Sequence, residues 1–540
     1  MTKQGIATLG VLLLVGASHA AERVLNPYRD VDWGTVTYVH SFSHQHATHS
    51  RLQTLRDMGY GHLPISNYYP SKPLYPLPED FRKANSDVLG APNAEQHSTT
   101  DSPIHFNAIG SYYTTGYGET PRVQRDRSPI EHVFRGLHVF DPAHEPWRGI
   151  YRLDLRLAAA TNTGGEVSVR LTVEGARQAS YKDFSEPADG GIVRDRVLTL
   201  ASARSMTFKA TAPEIRVQIV FDPAVTRITQ FRLMQGTYRP WRDTFRAALD
   251  GSARDAEGRP IEGLMFPEGG GITINHPGES VTRLAEYLDF DPRVLGIEVW
   301  NQHEMFGGQT LEKAAAMPFY TLWDEVLRTG RRCFGFFVKD HCIFGRGRNV
   351  LLMPPGGDTA TRERQALQVY RNGRFFGLLG AMTVDADGKP TMPYDQSNFR
   401  FTRLALRREA DKPVSLDVSV DGADTQRRPN TQIRFITDQG VACVVDGNSG
   451  SFILPRSADG RVACRYVRVE AFAYPNTHSG GQTLTPAAFT ALNVFQIARL
   501  HDVRGDSGVV YMDGKDGTPL GIVDMLFSQP IQFGFGICDL

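Results

Sequence analysis

The chain has little cysteine, five in 540 residues. A disulfide-built scaffold is excluded, because a chain this long buries enough apolar surface to fold without one. It also lacks an excess of charge. Lys plus Arg and Asp plus Glu each number 59, so the formal charge is zero. A balanced chain has no general attraction for nucleic acid or anionic lipid, and neither is expected as a partner. Past the N-terminus there is no long apolar run, no tandem repeat and no low-complexity stretch, so no membrane span is expected. What is present, 41% hydrophobic and 22% charged residues, is the composition of a folded protein. Its length calls for about two to four domains. Oligomeric state is not legible.

The one apolar stretch lies at the start. Lys3 precedes a short apolar run over residues 6–15, and Ser18, His19 and Ala20 follow. This reads as a secretory leader, residues 1–20, cleaved near Ala21, and it implies a periplasmic or secreted location. An uncleaved anchor is the alternative, for which the run is short. Export permits disulfides. Cys443 and Cys464 fall in strand-like segments, 441–445 and 461–469, that can bridge as neighbours. Cys333 and Cys342 flank another strand, Cys538 is near the C-terminus, and the odd count leaves at least one thiol out.

Texture divides the remainder. Over residues 32–110 strand-like and helical runs alternate: 35–39 is β-branched and aromatic, 50–58 puts Leu52, Leu55 and Met58 on one helical face, Gly59 stops it, and 62–66 is a strand. That is the pattern of a parallel sheet. Residues 147–238 carry short strands separated by Gly, Asn, Asp and Pro, as in a β-sandwich. Alternation resumes with a strand at 271–275, a helix at 281–288 capped by Ser280, a strand at 294–300, a helix at 311–328 stopped by Gly330, and a strand at 333–339. The expected architecture is an α/β barrel in two parts, 21–144 and 241–392, interrupted by a sandwich at 145–240 and followed by a β-rich C-terminal domain at 393–540, with strands expected at 399–407, 414–420, 432–437, 464–472, 508–511 and 521–527.

Histidines and carboxylates recur where strands are expected to end. His44 and His46 follow the first strand; His276 follows the strand at 271–275; Asp340 and His341 follow the strand at 333–339. Glu95, His105 and Glu298 lie in the motifs Pro92-Asn93-Ala94-Glu95-Gln96-His97, His105-Phe106-Asn107-Ala108-Ile109-Gly110 and Gly296-Ile297-Glu298-Val299-Trp300-Asn301. Parallel strands deliver their ends to one face, which gathers such residues. Imidazole with carboxylate suits zinc, manganese or iron and suits calcium or magnesium poorly. Other features have plain readings. His40, His49, His62, His132, His138 and His144 are scattered polar or structural residues. Gly269-Gly270-Gly271 is either a phosphate cradle or, preferably, a flexible lead into the next strand. Arg346 and Arg348 either clamp an anionic substrate or form loop salt bridges, and Tyr68-Tyr69-Pro70 with Tyr75 is a ring platform or a packed loop.

The order His-x-His, Glu, His-Phe-Asn-Ala-Ile-Gly, His-Pro, Gly-Ile-Glu-Val-Trp-Asn and a late Asp-His resembles the polymerase and histidinol phosphatase (PHP) superfamily. Leu322-Trp323-Asp324-Glu325-Val326-Leu327, Gly330-Arg331-Arg332 and Gly345-Arg346-Gly347-Arg348-Asn349 are similar to extracytoplasmic members near the carbaryl hydrolase branch. Tyr466-Val467-Arg468-Val469-Glu470 and Phe527-Ser528-Gln529-Pro530-Ile531 are weaker echoes. The resemblance implies a distorted (β/α)7 barrel, of about seven strands and as many as three metal ions, that hydrolyses phosphoesters or related bonds. His44, His46, Glu95 and Asp340 would hold one ion, Glu95 would bridge to a second completed by His105 and His276, and His341 would be a ligand or proton donor. Glu298 would face the substrate or orient a ligand. Two departures stand out. Ser66-Asn67-Tyr68 replaces the usual Thr-Asp-His, and Asp340 and His341 are adjacent where many relatives have Asp-x-His. One or two divalent ions are therefore expected, with Asn67 at the substrate and Tyr68 as an alternative acid or base. The expected activity is hydrolysis of a phosphoester in a small-molecule or glycan substrate. Carbamate or carboxylic ester cleavage is the first alternative; a glycan lyase or a glycan-binding protein on a decayed barrel is the other.

Overall fold

The computed structural model describes residues 23–66, 73–96, 99, 101–113, 118–119, 121–137, 139–140, 149–160, 166–178, 192–199, 205–235, 240–251, 253–254, 260–261, 263–301, 318–342, 346–381, 397–408, 412–478, 481–498, 500 and 521–534. The leader, Asn67, Tyr68, Tyr69, Pro70, His138, His144, Cys538, residues 311–317 of the helix expected at 311–328 and the strand expected at 508–511 lie outside them.

The centre is a five-stranded sheet in the order Phe334–Val338, Val294–Asn301, Gly271–Asn275, His105–Ile109 and Glu95–Gln96. The first three run parallel and the last two join antiparallel. Val294–Asn301 is buried at every position, as expected of a strand covered on both faces. The helices Val281–Leu288 and Pro318–Arg328 make the connections between the parallel strands. Ser280 caps the first by accepting from the Arg283 N–H. Leu284, Tyr287, Trp323, Val326 and Leu327 lie in one core with Ile272, Ile274, Ile297 and Val299.

Thr37–Ser41 is followed by the helix Leu52–Asp57, whose Leu52 and Leu55 are buried in a core with Met58, Tyr60 and Leu63. His62–Leu63 pairs in parallel with Leu89–Gly90. Single bridges tie these segments together. His40 pairs with Tyr60 and Gln45 with Asp340, both in parallel sense. The Ser66 N–H donates to the Gln45 carbonyl at 3.0 Å and the Glu95 N–H to the Ser66 carbonyl at 2.7 Å. Backbone bonds thus run in a circuit, from Asp340 through Gln45, Ser66 and Glu95 and back across the five-stranded sheet. The barrel expected of residues 21–144 and 241–392 puts the strands at 35–39 and 271–275 in one sheet. They lie in separately paired sheets, because the long partner of Thr37–Ser41 is the antiparallel strand Gly347–Met353.

That pairing opens a nine-stranded antiparallel sheet continuing through Phe375–Leu379, Asp524–Ser528, Tyr466–Tyr474, Ile531–Phe533 and Val24–Leu25, with Asn430–Thr437 beside Tyr466–Tyr474 and Gly440–Asp446 beside Asn430–Thr437. The C-terminal strands therefore share a sheet with Thr37–Ser41. Phe472, Tyr474 and Phe527 also share a core with Trp241 and Val299. Arg468 locks the junction. It donates to both Asp324 oxygens at 3.0 and 2.9 Å, to Glu470 at 2.6 Å and to the Tyr320 hydroxyl at 2.7 Å. Both family-like segments, around Asp324 and around Arg468, thus meet in one buried charge network.

The sandwich has a four-stranded and a five-stranded antiparallel sheet around their own core, with Phe134, Leu171 and Val217 from one facing Leu153, Phe208 and Phe231 from the other. It begins earlier than residue 145. Gly118–Glu119 and Ile130–Arg135 are among its strands. Cys443 and Cys464 are not bonded to each other. The Asn430–Thr437 strand runs between the Cys443 strand and Tyr466–Tyr474, which begins two residues past Cys464. Among the described residues no helix is long and apolar enough to cross a membrane, which leaves β-barrel proteins untouched.

Candidate metal centre

The circuit of strand ends places the expected ligands together. His46 N–H donates to the Asp340 carbonyl and Asp340 N–H to the His44 carbonyl, at 3.0 and 3.2 Å, so the two loops are mutually pinned. Gln45 adds its side-chain amide to the same Asp340 carbonyl at 2.9 Å. His276 and Asp340 have φ values of 24° and 56°, in the left-handed region that L-residues avoid. Two non-glycine residues held there at one site mark a backbone over-determined by its surroundings.

Four donor atoms converge: His44 Nε2, His46 Nε2, Glu95 Oε2 and Asp340 Oδ1. His44 Nε2 and His46 Nε2 lie 3.1 Å apart, and each is 3.0–3.4 Å from Glu95 Oε2 and from Asp340 Oδ1. Asp340 Oδ1 is buried and accepts no hydrogen bond among the described residues. An orphaned carboxylate oxygen is costly unless a cation meets it. The other Glu95 oxygen, Oε1, faces His105 Nδ1 at 3.3 Å and His276 Nε2 at 3.4 Å. A third group, His46, Asp340 and His341, shares two of these residues. These clusters fit a metal ion, and Glu95 stands between two of them with one oxygen towards each.

Electrostatics say the same. Burial opposes a charge on His44, but Asp340, Glu95 and Glu298 outweigh it and hold its pKa well above the imidazole range. Burial likewise opposes His276, yet the Glu95 hydrogen bond and the Glu298 charge push it up to about 9. Glu95, despite its burial, is held well below the carboxylate range by His44 and by hydrogen bonds from the surrounding histidines. Asp340 is lowered against its burial by the neighbouring histidines, His44 foremost. A site packed with carboxylates demands positive charge, and protons on imidazole meet the demand when no ion does.

Glu298 is fully buried, and its oxygens are occupied. Oε1 lies 2.8 Å from His44 Nδ1, while Oε2 accepts from the His276 N–H at 2.6 Å and from Asn301 Nδ2 at 2.9 Å. Both oxygens are thus turned to His44, His276 and Asn301, which corrects the expectation that Glu298 faces substrate. Arg346 and Arg348 are corrected too. Arg346 is buried and donates to the carbonyls of Gly380, at 2.9 Å, and of Val523. Arg348 is buried over the Tyr60 ring at 4.7 Å and reaches the Met58 carbonyl. Both sit in the Gly347–Met353 region as internal ties of the nine-stranded sheet. Gly270 is no phosphate cradle: its N–H is taken by the Leu367 carbonyl at 2.8 Å, and a Cβ there would meet the Ile109 oxygen at 1.9 Å. Tyr75 is a packed-loop residue, donating to Glu363 at 2.8 Å. His62 is structural, bonded to Ser41 at 2.8 Å, and burial drops its pKa to about 3. His341 stands at the mouth, 43% exposed, stacked on His46 with centroids 4.2 Å apart.

The asparagines were missed. Asn275 donates to Glu95 Oε1 and to the Asn107 oxygen, both at 3.2 Å, and Asn301 reaches Asp340 Oδ2 at 3.3 Å. Each ends a strand or lies in a quoted motif, and that position was the available signal.

No family model matches the chain, and no curated protein does. Among solved structures, it is weakly similar to a cycloisomaltooligosaccharide glucanotransferase of Paenibacillus sp. complexed with cycloisomaltoheptaose. There the identity is 10% and the TM-score 0.13, covering 88% of this chain and 53% of that one. For a β-glucosidase from Kluyveromyces marxianus in complex with glucose the identity is 9% and the TM-score 0.14, with coverages of 68% and 43%. The chain spans about half the length of these structures, and superpositions so low assign neither fold nor function.

Proposed function

We propose that the chain is an exported, metal-dependent hydrolase on a modified PHP-type barrel, cleaving a phosphoester of a small-molecule or glycan substrate. The observation that carries this reading is the convergence of His44 and His46 with Glu95 and with Asp340, with His105 and His276 on the other oxygen of Glu95. A divalent ion (zinc, manganese or iron) held there would supply Lewis acidity and bring the pKa of a coordinated water from 15.7 to roughly 7. The protein's own part is to hold the donors fixed. Glu298 keeps the proton of His44 on Nδ1, leaving the Nε2 lone pair facing inward. His341, exposed at the mouth and steadied by the His46 ring, is placed to protonate a leaving group. The phosphoester assignment rests on the superfamily resemblance. Arg346, on the Gly380 and Val523 carbonyls, and Arg348, against His40 and Met58, are turned inward, which supports, as the second reading, a neutral carbamate or carboxylic ester.

The test is His44→Ala and Asp340→Ala, made separately, with metal content measured alongside turnover of a generic phosphodiester and a generic aryl ester. Each variant should lose bound ion, and turnover should fall by about 100-fold or more. Full metal content in both would overturn the reading. Loss of metal with intact turnover would make the ion structural.

A further inference from the structure

We propose that Glu298 and Asn301 form one positioning unit that couples the two metal subsites, so that neither fills normally without it; this rests on the metal-hydrolase reading above. The two residues are three apart on the Val294–Asn301 strand, and regular alternation would send them to opposite faces. The pairing with Phe334–Val338 slips between Glu298, opposite Phe336, and Trp300, opposite Phe337. That extra residue is a bulge, and it returns Asn301 to the side of Glu298. Their side chains then meet at 2.9 Å, both fully buried.

The unit touches both subsites. Glu298 Oε1 holds His44 Nδ1, which fixes the proton away from the atom that faces the first subsite. Glu298 Oε2 accepts from the backbone of His276, a second-subsite residue held at positive φ. Asn301 donates to Asp340 Oδ2, leaving Oδ1 turned towards the first subsite. One carboxylate therefore sets the ring orientation in one subsite and the backbone in the other. Glutamine at position 298 cannot do both. If its amide nitrogen faces His44, the His44 proton moves to Nε2 and blocks the ligand atom. If it faces His276, it meets the His276 N–H and the Asn301 amide, donor against donor. Both are fully buried and turned to His44, His276 and Asp340, so their role is positioning.

The experiment is Zn2+ titration against a competing chelator for the full-length wild type, Glu298→Ala, Glu298→Gln, Asn301→Ala and His105→Ala, with circular dichroism confirming the fold. In Glu298→Ala both ions should weaken together by about 10- to 100-fold, in Glu298→Gln the ion of the subsite that its amide nitrogen opposes, and in Asn301→Ala both more mildly, whereas His105→Ala should weaken only one. Ring 15N shifts of the Zn2+-loaded wild type should show His44 ligating through Nε2 with the proton on Nδ1. A Glu298→Ala protein that keeps one ion at full affinity, a Glu298→Gln protein that keeps both, or His44 ligating through Nδ1, overturns the coupling while leaving the hydrolase reading intact. A wild type that binds no Zn2+ overturns both. If Glu298→Ala does not fold, Glu298→Gln, Asn301→Ala and the wild-type ring shifts decide.

Discussion

The metal-free and metal-loaded proteins should respond to pH in opposite directions. In the metal-free state His276 is pushed up to about 9 by Glu95 and Glu298 against its burial, and His44 is raised in the same sense. A group whose pKa is raised by folding contributes stability that is complete below its unfolded value, near 6.5, and is lost as pH rises through its folded value. For His276 that is a loss of roughly 3 kcal/mol between about pH 6.5 and pH 9. Glu95 and Asp340 are lowered, so their contribution is present above the carboxylate range and fails only in acid. With an ion bound, the ligating imidazoles must be unprotonated, so the metal's contribution grows across the same window. At about one hundred times Kd it reaches about 2.7 kcal/mol. Thermal unfolding with and without chelator, followed by tryptophan fluorescence from about pH 6 to pH 9, reads this out, because Trp241, Trp300 and Trp323 are buried beside the five-stranded sheet. Chelated protein that becomes more stable towards pH 9 would refute the charge balance assigned to the site.

Two further outcomes separate scaffold from site. Arg468→Ala should cost about 3–5 kcal/mol, because it leaves Asp324 and Glu470 buried without their cation, yet metal content should persist, since the network shares no residue with the cluster; denaturant unfolding and metal analysis check both. Arg348→Ala should lower stability by about 2–4 kcal/mol with KM unchanged, and a large rise in KM would restore Arg348 as a substrate group.

Much of the site was legible because its residues sit at strand ends, where short-range pattern marks both the strand and the polar residue that follows it. His276 after Gly271–Asn275 and Asp340 after Phe334–Val338 are of this kind. Glu298 was harder. Inside an all-buried strand, nothing local says whether a carboxylate faces a substrate or a histidine, and the bulge that decides it is a matter of pairing with another strand. Arg346 and Arg348 failed for a related reason. They follow Asp340 in sequence, but the next strand pairs antiparallel with Thr37–Ser41 and carries them into the sheet. The long antiparallel sheet was not foreseen, because its partners are hundreds of residues apart and each strand alone reads the same in a separate domain. The bridge from Asp340 to Gln45 likewise has no sequence signal of its own.

The sheet has an implication for the order of assembly. Val24–Leu25 pairs with Ile531–Phe533, the Gly534 N–H donates to the Arg23 carbonyl at 3.0 Å, and the Tyr28 hydroxyl accepts from the Gln529 N–H across 501 residues. The segment just before the first histidines thus waits for the last strands before its hydrogen bonds exist. A ribosome or translocon delivering the chain from its N-terminus releases residues 524–533 long after His44 and His46 have emerged. The nine-stranded sheet closes only once residues 524–533 have emerged, so the proposed centre meets the metal pool of whichever compartment receives them. Imidazole and carboxylate donors discriminate poorly among neighbouring divalent ions, so supply at that moment chooses the ion.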